Sequence, residues 1–341
     1  MKRLNNLYQK IYSMENLQLA DQIARKGKSG QYGVKLHDKN AEANLVALHH
    51  MLKDKTYRTS EYKIFKIWEP KERDVYGLPY FPDRIAHHAV MNILEPIFVS
   101  NFTSDTFSCI KGKGIHAAKE AVQQALKDVP GTTYCLKLDI KKFYPNVDHA
   151  VLKQLLRRKF KDADLLWLLD EIIDSAPGIP IGNYLSQYFA NFYLSYFDHW
   201  IKEDKHVKYY YRYADDLVIL ADNKPYLHRL LADIREYLTG KLNLTIKSNY
   251  QVFPVSERGI DFVGYVLRHT HVALRKSIKK NFARKVSRRA NRSSIASYLG
   301  WAKHCNSRHL IKKLLSNYEK IQRIPNNTNI KKPPRRQNKG R

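Results

Sequence analysis

Residues 208–220 read Lys208-Tyr209-Tyr210-Tyr211-Arg212-Tyr213-Ala214-Asp215-Asp216-Leu217-Val218-Ile219-Leu220. Two β-prone runs flank Ala-Asp-Asp, which predicts a hairpin whose tight turn presents Asp215 and Asp216. Asp is common in turns, so an exposed acidic turn is the plain interpretation. The flanks are strongly hydrophobic, however, and two adjacent carboxylates there repel each other unless a cation joins them.

A partner lies upstream. In Tyr134-Cys135-Leu136-Lys137-Leu138-Asp139-Ile140, the residues Tyr134, Leu136, Leu138 and Ile140 face one side of a predicted strand; Cys135, Lys137 and Asp139 face the other. Alone, Asp139 reads as a turn residue or a helix cap. Asn146–Asp148 are better placed to cap the helix expected over Ala150–Phe160. With Asp139 beside Asp215 on neighbouring strands, the pair suits hard divalent cations. Two Mg²⁺ ions about 3.5–4 Å apart would stabilise the attacking and leaving oxygens of an in-line phosphoryl displacement. The Ile140 main-chain oxygen is placed to add a ligand, and Mn²⁺ is an alternative metal. The spacing of 76 between the two aspartates leaves room for a helical insertion, Ala150–Trp200.

Composition bounds the partner. The chain has 341 residues, 43% hydrophobic and 12% aromatic, too apolar for a disordered polymer. No apolar run approaches the roughly 20 residues of a membrane span. Met1–Leu19 is interrupted by Asn5, Asn6, Gln9, Glu15 and Asn16, which argues against a secretory leader. Cys109, Cys135 and Cys305 are odd in number and far apart, so a reducing compartment is expected and a disulfide framework is not. The formal charge is +28, and a polyanionic partner is the ordinary consequence. From Arg268 to Arg341 there are 22 Lys and Arg and one acidic residue, Glu319, so three quarters of the excess lies there. Within it, Ile278, Phe282 and Val286 form the apolar stripe of a predicted cationic helix. Ile295–Leu315 predicts a helical pair broken near Asn306–Ser307. A solvated basic face would explain one such helix, but self-repulsion at this density favours phosphate contact. Beyond Pro325 the tail is expected to be disordered.

The N-terminal 65 residues read mostly as helix. A strand is predicted over Glu61–Trp68, helices over Pro82–Val99 and His116–Leu126, and a glycine turn at Lys111–Gly114.

Tyr213-Ala214-Asp215-Asp216 is similar to the YxDD signature of reverse transcriptases, and Leu138–Tyr144 (LDIKKFY) resembles their first catalytic-aspartate motif. Motifs resembling that family follow its order from about Lys66 to Val266. The resemblance implies an α+β right-hand polymerase of fingers, palm and thumb. Expected boundaries are an N-terminal helical extension at 1–65, fingers at 66–132 and a palm with an antiparallel sheet at 133–267. A basic helical thumb at 268–325 and the basic tail at 326–341 complete it.

The same resemblance assigns roles. Asp139, Asp215 and Asp216 become the catalytic metal ligands. Arg73 resembles the fingers residue that grips the incoming triphosphate, with Lys66 and Lys71 as further candidates; a surface salt bridge would account for any one of them. Lys111 lies in the next fingers motif, whose glycines admit a phosphate close to the backbone. Tyr144 occupies the steric-gate position, where a ring under the sugar selects deoxynucleotides; a buried core tyrosine fits the same place. Lys247 resembles the palm lysine near the leaving pyrophosphate. Gly264 and Tyr265 match the primer grip. Arg84, Arg275, Lys279, Arg284 and Arg288 are expected on template or primer backbone.

One segment narrows the resemblance. Gly178–Gln187 (GIPIGNYLSQ) carries Ile181 where most reverse transcriptases have Gln, and Gln187 where they have Pro. With Gly182 and Ser186, this resembles the enzymes of diversity-generating retroelements. That subfamily copies a template-repeat RNA, misincorporates opposite adenine, and diversifies a target gene by mutagenic retrohoming. Its expected partners are template RNA and the RNA/DNA hybrid, dNTPs, and a small basic helical accessory variability protein that forms a pentamer. A cytoplasmic, prokaryotic or phage-encoded setting is implied, with no membrane. Two alternatives stand beside it: a retron or group II intron-like reverse transcriptase, and a non-catalytic RNA-binding scaffold.

Overall fold

In the computed structural model, residues 3–68, 72–288 and 291–322 are described. Lys71 and the tail beyond Pro325 lie outside them.

Four helices come first, α1 (Tyr8–Tyr12), α2 (Met14–Ala24), α3 (Tyr32–Asp38) and α4 (Ala41–Lys53). Leu45, Leu48 and Leu52 bury one face of α4 at helical spacing. An antiparallel hairpin follows, β1 (Lys63–Trp68) and β2 (Glu72–Gly77), with Ile67 opposite Arg73. Helices α5 (Ile85–Val99) and α6 (Ile115–Ala125) then lead to the strand that carries Asp139, β3 (Tyr134–Asp139).

Between the two acidic stretches lie α7 (His149–Lys159), α8 (Ala163–Asp174) and α9 (Tyr184–His199), the helical insertion anticipated from spacing. Asp148 caps α7 by accepting from Val151 N at 3.0 Å. Asp162 caps α8 in the same way and also accepts from Leu7 N and Tyr8 N, which ties the N-terminal helices to the insertion. The hairpin β4 (Tyr209–Tyr213) and β5 (Asp216–Ala221), helix α10 (Lys224–Leu242) and β6 (Gln251–Pro254) complete a sheet of strand order β4-β5-β3-β6.

This sheet is covered on both faces. Leu136, Leu138, Leu217 and Ile219 pack into the large core shared with α9, α10 and the N-terminal helices. Cys135, Val218 and Leu220 alternate with them and pack instead against α6 and a second sheet. After the short helix α11 (Val255–Arg258), that sheet comprises β7 (Ile260–Phe262), β8 (Tyr265–Leu267) and β9 (Val272–Leu274) in sequential order. The basic helices α12 (Lys276–Ser287), α13 (Arg292–Ala302) and α14 (Arg308–Gln322) follow. Phe282, Val286, Ile295 and Leu314 form their own small core, and Lys276, Lys280, Arg284, Lys285, Lys312 and Lys313 are exposed around it. The break between α13 and α14 spans Asn306–Ser307, as the periodicity predicts.

Candidate active site

β3 and β5 pair antiparallel with Asp139 opposite Asp216, so both acidic stretches end at one edge of the sheet. The β4–β5 hairpin closes at Tyr213 and Asp216 across the two-residue turn Ala214-Asp215. Ala214 holds a left-handed φ of +54°, which a non-glycine residue adopts only under constraint.

That constraint is Arg212. Its wholly buried guanidinium donates to Ala214 O (3.0 Å), Asn191 Oδ1 (3.1 Å) and the buried Asp198 carboxylate (2.7 and 2.5 Å). Tyr210 OH and Thr106 Oγ1 donate to the remaining lone pairs of Asp198 at 2.5 and 3.0 Å. A buried ion pair satisfied on every side is the arrangement that tolerates desolvation. The sequence reading overlooked Arg212. The available signal was Asn191, Ser195 and Asp198, a polar stripe at helical spacing in an otherwise apolar α9.

The end of β3 is stitched to the turn and to the segment after α10. Ile140 N donates to Asp215 O at 3.1 Å, Lys141 N to Thr245 O at 2.8 Å, and Lys247 N to Asp139 O at 2.9 Å. These bonds place the Asp139 and Asp215 side chains together. Burial first, and then the Asp139 charge, push the Asp215 carboxyl up to about 6 from 3.8. The Lys247 ammonium pairs with the Asp139 carboxylate. Burial first, and then the Cys109 and Asp215 charges, raise the Tyr144 phenol above its ordinary value.

Asp216 differs. It shares the Asp139 face of the sheet, but its carboxylate forms an ion pair with Lys137, two residues before Asp139 on β3. Lys137 also lies over the Phe262 ring at 5.5 Å. The structure therefore brings together Asp139 and Asp215, whereas Asp216 is engaged by a lysine whose role the sequence reading missed. Among the described residues no group of three or more His, Cys, Asp or Glu side chains converges on one point. Two repelling carboxylates beside a backbone carbonyl still suit Mg²⁺, which takes few protein oxygens and completes its shell with water and substrate phosphate.

The other expected residues scatter around this edge. Arg73 is exposed on β2, and Lys66 pairs with Glu72 at 2.5 Å. Lys111 is exposed, while Lys113 is bound to Ser104 O (2.8 Å) and Thr106 O (3.1 Å). Arg84 is half-buried at the start of α5. Ile181 is half-buried and its carbonyl accepts from Tyr76 N at 2.8 Å; Gly182 and Gln187 are exposed and Ser186 is buried.

Tyr265 is wholly buried and its hydroxyl donates to Trp301 O at 3.0 Å, so its side chain links β8 to α13. At Gly264, with φ +90°, a β-carbon would overlap the Trp301 ring. Arg275 donates to Asp261 Oδ1 at 2.6 Å, which occupies part of its guanidinium, whereas Arg284 and Arg288 are exposed and Lys279 is half-buried.

Residues 69–267 match the family model of reverse transcriptase (RNA-dependent DNA polymerase). Protein YkfC of Escherichia coli is 24% identical over 236 residues, 56% of this chain and 62% of that protein. The group II intron-encoded protein LtrA of Lactococcus lactis is 25% identical over 178 residues, 48% of this chain and 29% of LtrA. The chain thus spans less than two thirds of these relatives' length. Among solved structures, telomerase from Candida albicans in complex with a fragment of telomeric RNA aligns with TM-score 0.50 and 11% identity. That alignment covers 69% of this chain and 51% of the telomerase chain. The likeness is one of fold, a right-hand polymerase with an antiparallel palm sheet. Because the matched span runs through both aspartate-bearing strands, the chain belongs to the reverse transcriptase (RNA-dependent DNA polymerase) family.

Proposed function

We propose that the chain is an RNA-directed DNA polymerase whose active site is the Asp139–Asp215 pair. The observation that carries this reading is the meeting of the two carboxylates, held by Ile140 N on Asp215 O and Lys247 N on Asp139 O. Asp139, Asp215 and the Ile140 carbonyl would hold two Mg²⁺ ions, which when bound activate the primer 3′-hydroxyl and offset charge on the α-phosphate and pyrophosphate. Mn²⁺ is proposed as a substitute.

The protein's own groups do the rest. Lys247, already on Asp139, supplies positive charge where pyrophosphate charge develops. Tyr144, five residues past Asp139, sits under the incoming sugar and rejects a 2′-hydroxyl by volume. Arg73 grips the triphosphate from the fingers, with Lys71 as a further candidate and Lys111 on the neighbouring turn. Asp216 holds Lys137 and so orients the turn. Gly264 supports the primer end, and Arg84, Lys279, Arg284 and Arg288 follow template and primer phosphates. Primer extension on an RNA template with Mg²⁺ and the four dNTPs tests this; full-length cDNA is expected, and no extension overturns it.

The finer reading is a diversity-generating retroelement enzyme acting in the cytoplasm with a pentameric basic accessory protein. Ile181, Gly182, Ser186 and Gln187 support it. An apolar Ile181 near the nascent pair removes a polar contact, and selectivity is a difference of transition-state energies. Sequencing of cDNA tests it: errors concentrated opposite template adenine support it, and uniform errors oppose it. The likeness to LtrA favours a second reading, a group II intron-like reverse transcriptase, for which uniform fidelity is the expected result. Among the described residues no helix is long and apolar enough to cross a membrane.

A further inference from the structure

The β1–β2 hairpin has almost no core of its own. All six residues of β1 are exposed, including Ile64 (59%), Phe65 (53%) and Trp68 (72%), and the first half of β2 is exposed as well. A two-stranded hairpin in water is marginal by itself, so its orientation depends on what grips its base.

Three grips are present. The chain entering β1 is held by the wholly buried Asp83, whose Oδ1 accepts from Tyr57 OH (2.8 Å) and Ser60 N (3.0 Å). The chain leaving β2 is held by Tyr76 N donating to Ile181 O at 2.8 Å. Here Gly182 adopts φ +126°, and a β-carbon would overlap the Tyr76 carbonyl oxygen, so the two backbones touch. The third grip is a directed chain of hydrogen bonds. Ser175 Oγ donates to Ile172 O at 2.6 Å, which leaves it to accept from Tyr62 OH at 2.7 Å; Tyr62 OH in turn accepts from Asn183 Nδ2 at 2.7 Å. The Tyr62 ring meets the Tyr76 ring edge-on at 5.5 Å, which joins the second and third grips.

We infer that Tyr62 and Asn183 are positioning residues that lock the hairpin to the 181–183 loop, so that Arg73 and Ile181 move as one unit and nucleotide selection is set partly by this joint. The inference rests on the polymerase reading for its consequence, but the joint itself does not. Arg73 lies on β2, three residues before Tyr76, and Ile181 lies two residues before Asn183. A tilt of the hairpin therefore reaches Ile181 through one hydrogen bond. Loosening the joint changes how well the nucleotide is held, and leaves the carboxylates on β3 and β5 in place.

Tyr62→Phe is the test, because it removes one hydroxyl and keeps the ring on Tyr76; Asn183→Ala removes the donor from the other side. In single-nucleotide incorporation on an RNA template, each variant should raise the dNTP KM about fivefold, the worth of roughly one hydrogen bond. The expected kcat stays within about twofold of wild type. Amide exchange at Tyr76 should accelerate in both variants without nucleotide present. A fall in kcat with KM unchanged, or unaltered exchange at Tyr76, overturns the inference. If wild type incorporates nothing, the polymerase reading fails and the exchange measurement alone decides whether the joint exists.

Discussion

The Arg212 guanidinium and the Asp198 carboxylate, both wholly buried, meet through two parallel hydrogen bonds of 2.7 and 2.5 Å, and the same guanidinium holds the Ala214 carbonyl. Removing one partner leaves an uncompensated buried charge, which costs about 3–5 kcal/mol. Arg212→Met and Asp198→Asn are each expected to lose about that much in urea unfolding, and the double variant less than the sum. Independent, additive losses would show that the two side chains are not coupled.

Asp215 gives the metal-free protein a specific pH dependence. Its folded value of about 6 lies above the ordinary 3.8, so between those values the folded state binds the proton more readily than the unfolded chain. Stability from this group is therefore lost as pH rises through that window. In EDTA, Asp215→Asn should be more stable than wild type above pH 6, by about 1–2 kcal/mol after allowing for partial solvent screening. Near pH 4 the two should converge. Thermal unfolding at both pH values checks it, and equal curves at pH 8 would contradict the repulsion.

Gly264→Ala should act on α13. The added carbon meets the Trp301 ring at a φ of +90°, so α13 must shift or the turn must strain. A loss of about 1–3 kcal/mol is expected, with weaker primer-template binding and unchanged divalent-ion affinity. Calorimetric titration separates the two binding measurements.

How far the sequence foretold this depends on the range of each interaction. The alternation of Leu136, Lys137, Leu138 and Asp139 gave β3 directly, because the sheet is buried on both faces and each residue's side is fixed. The hairpin turn was legible from its flanks, but Asp216, expected in it beside Asp215, lies on β5 and pairs with Tyr213. The partners of Lys137 and Arg212 were not, since each depends on a register or a helix face set by distant chain: Asp216 lies across the sheet and Asp198 on α9. The three-residue strands β7–β9 are too short to show a period, so only the Gly264 turn marked them.

The basic helix α12 should bind nucleic-acid phosphates. Lys279→Ala with Arg284→Ala is expected to weaken RNA binding and to flatten the plot of log affinity against log salt, by about 0.7–0.9 for each phosphate no longer neutralised. An unchanged slope would place the RNA elsewhere.

Whether Asp139 and Asp215 do the chemistry is decided by primer extension with single variants on an RNA template and Mg²⁺. Asp139→Asn and Asp215→Asn should each lower extension by roughly a thousandfold or more, while RNA affinity stays within about twofold of wild type. Extension by Asp215→Asn at the wild-type rate would contradict the account.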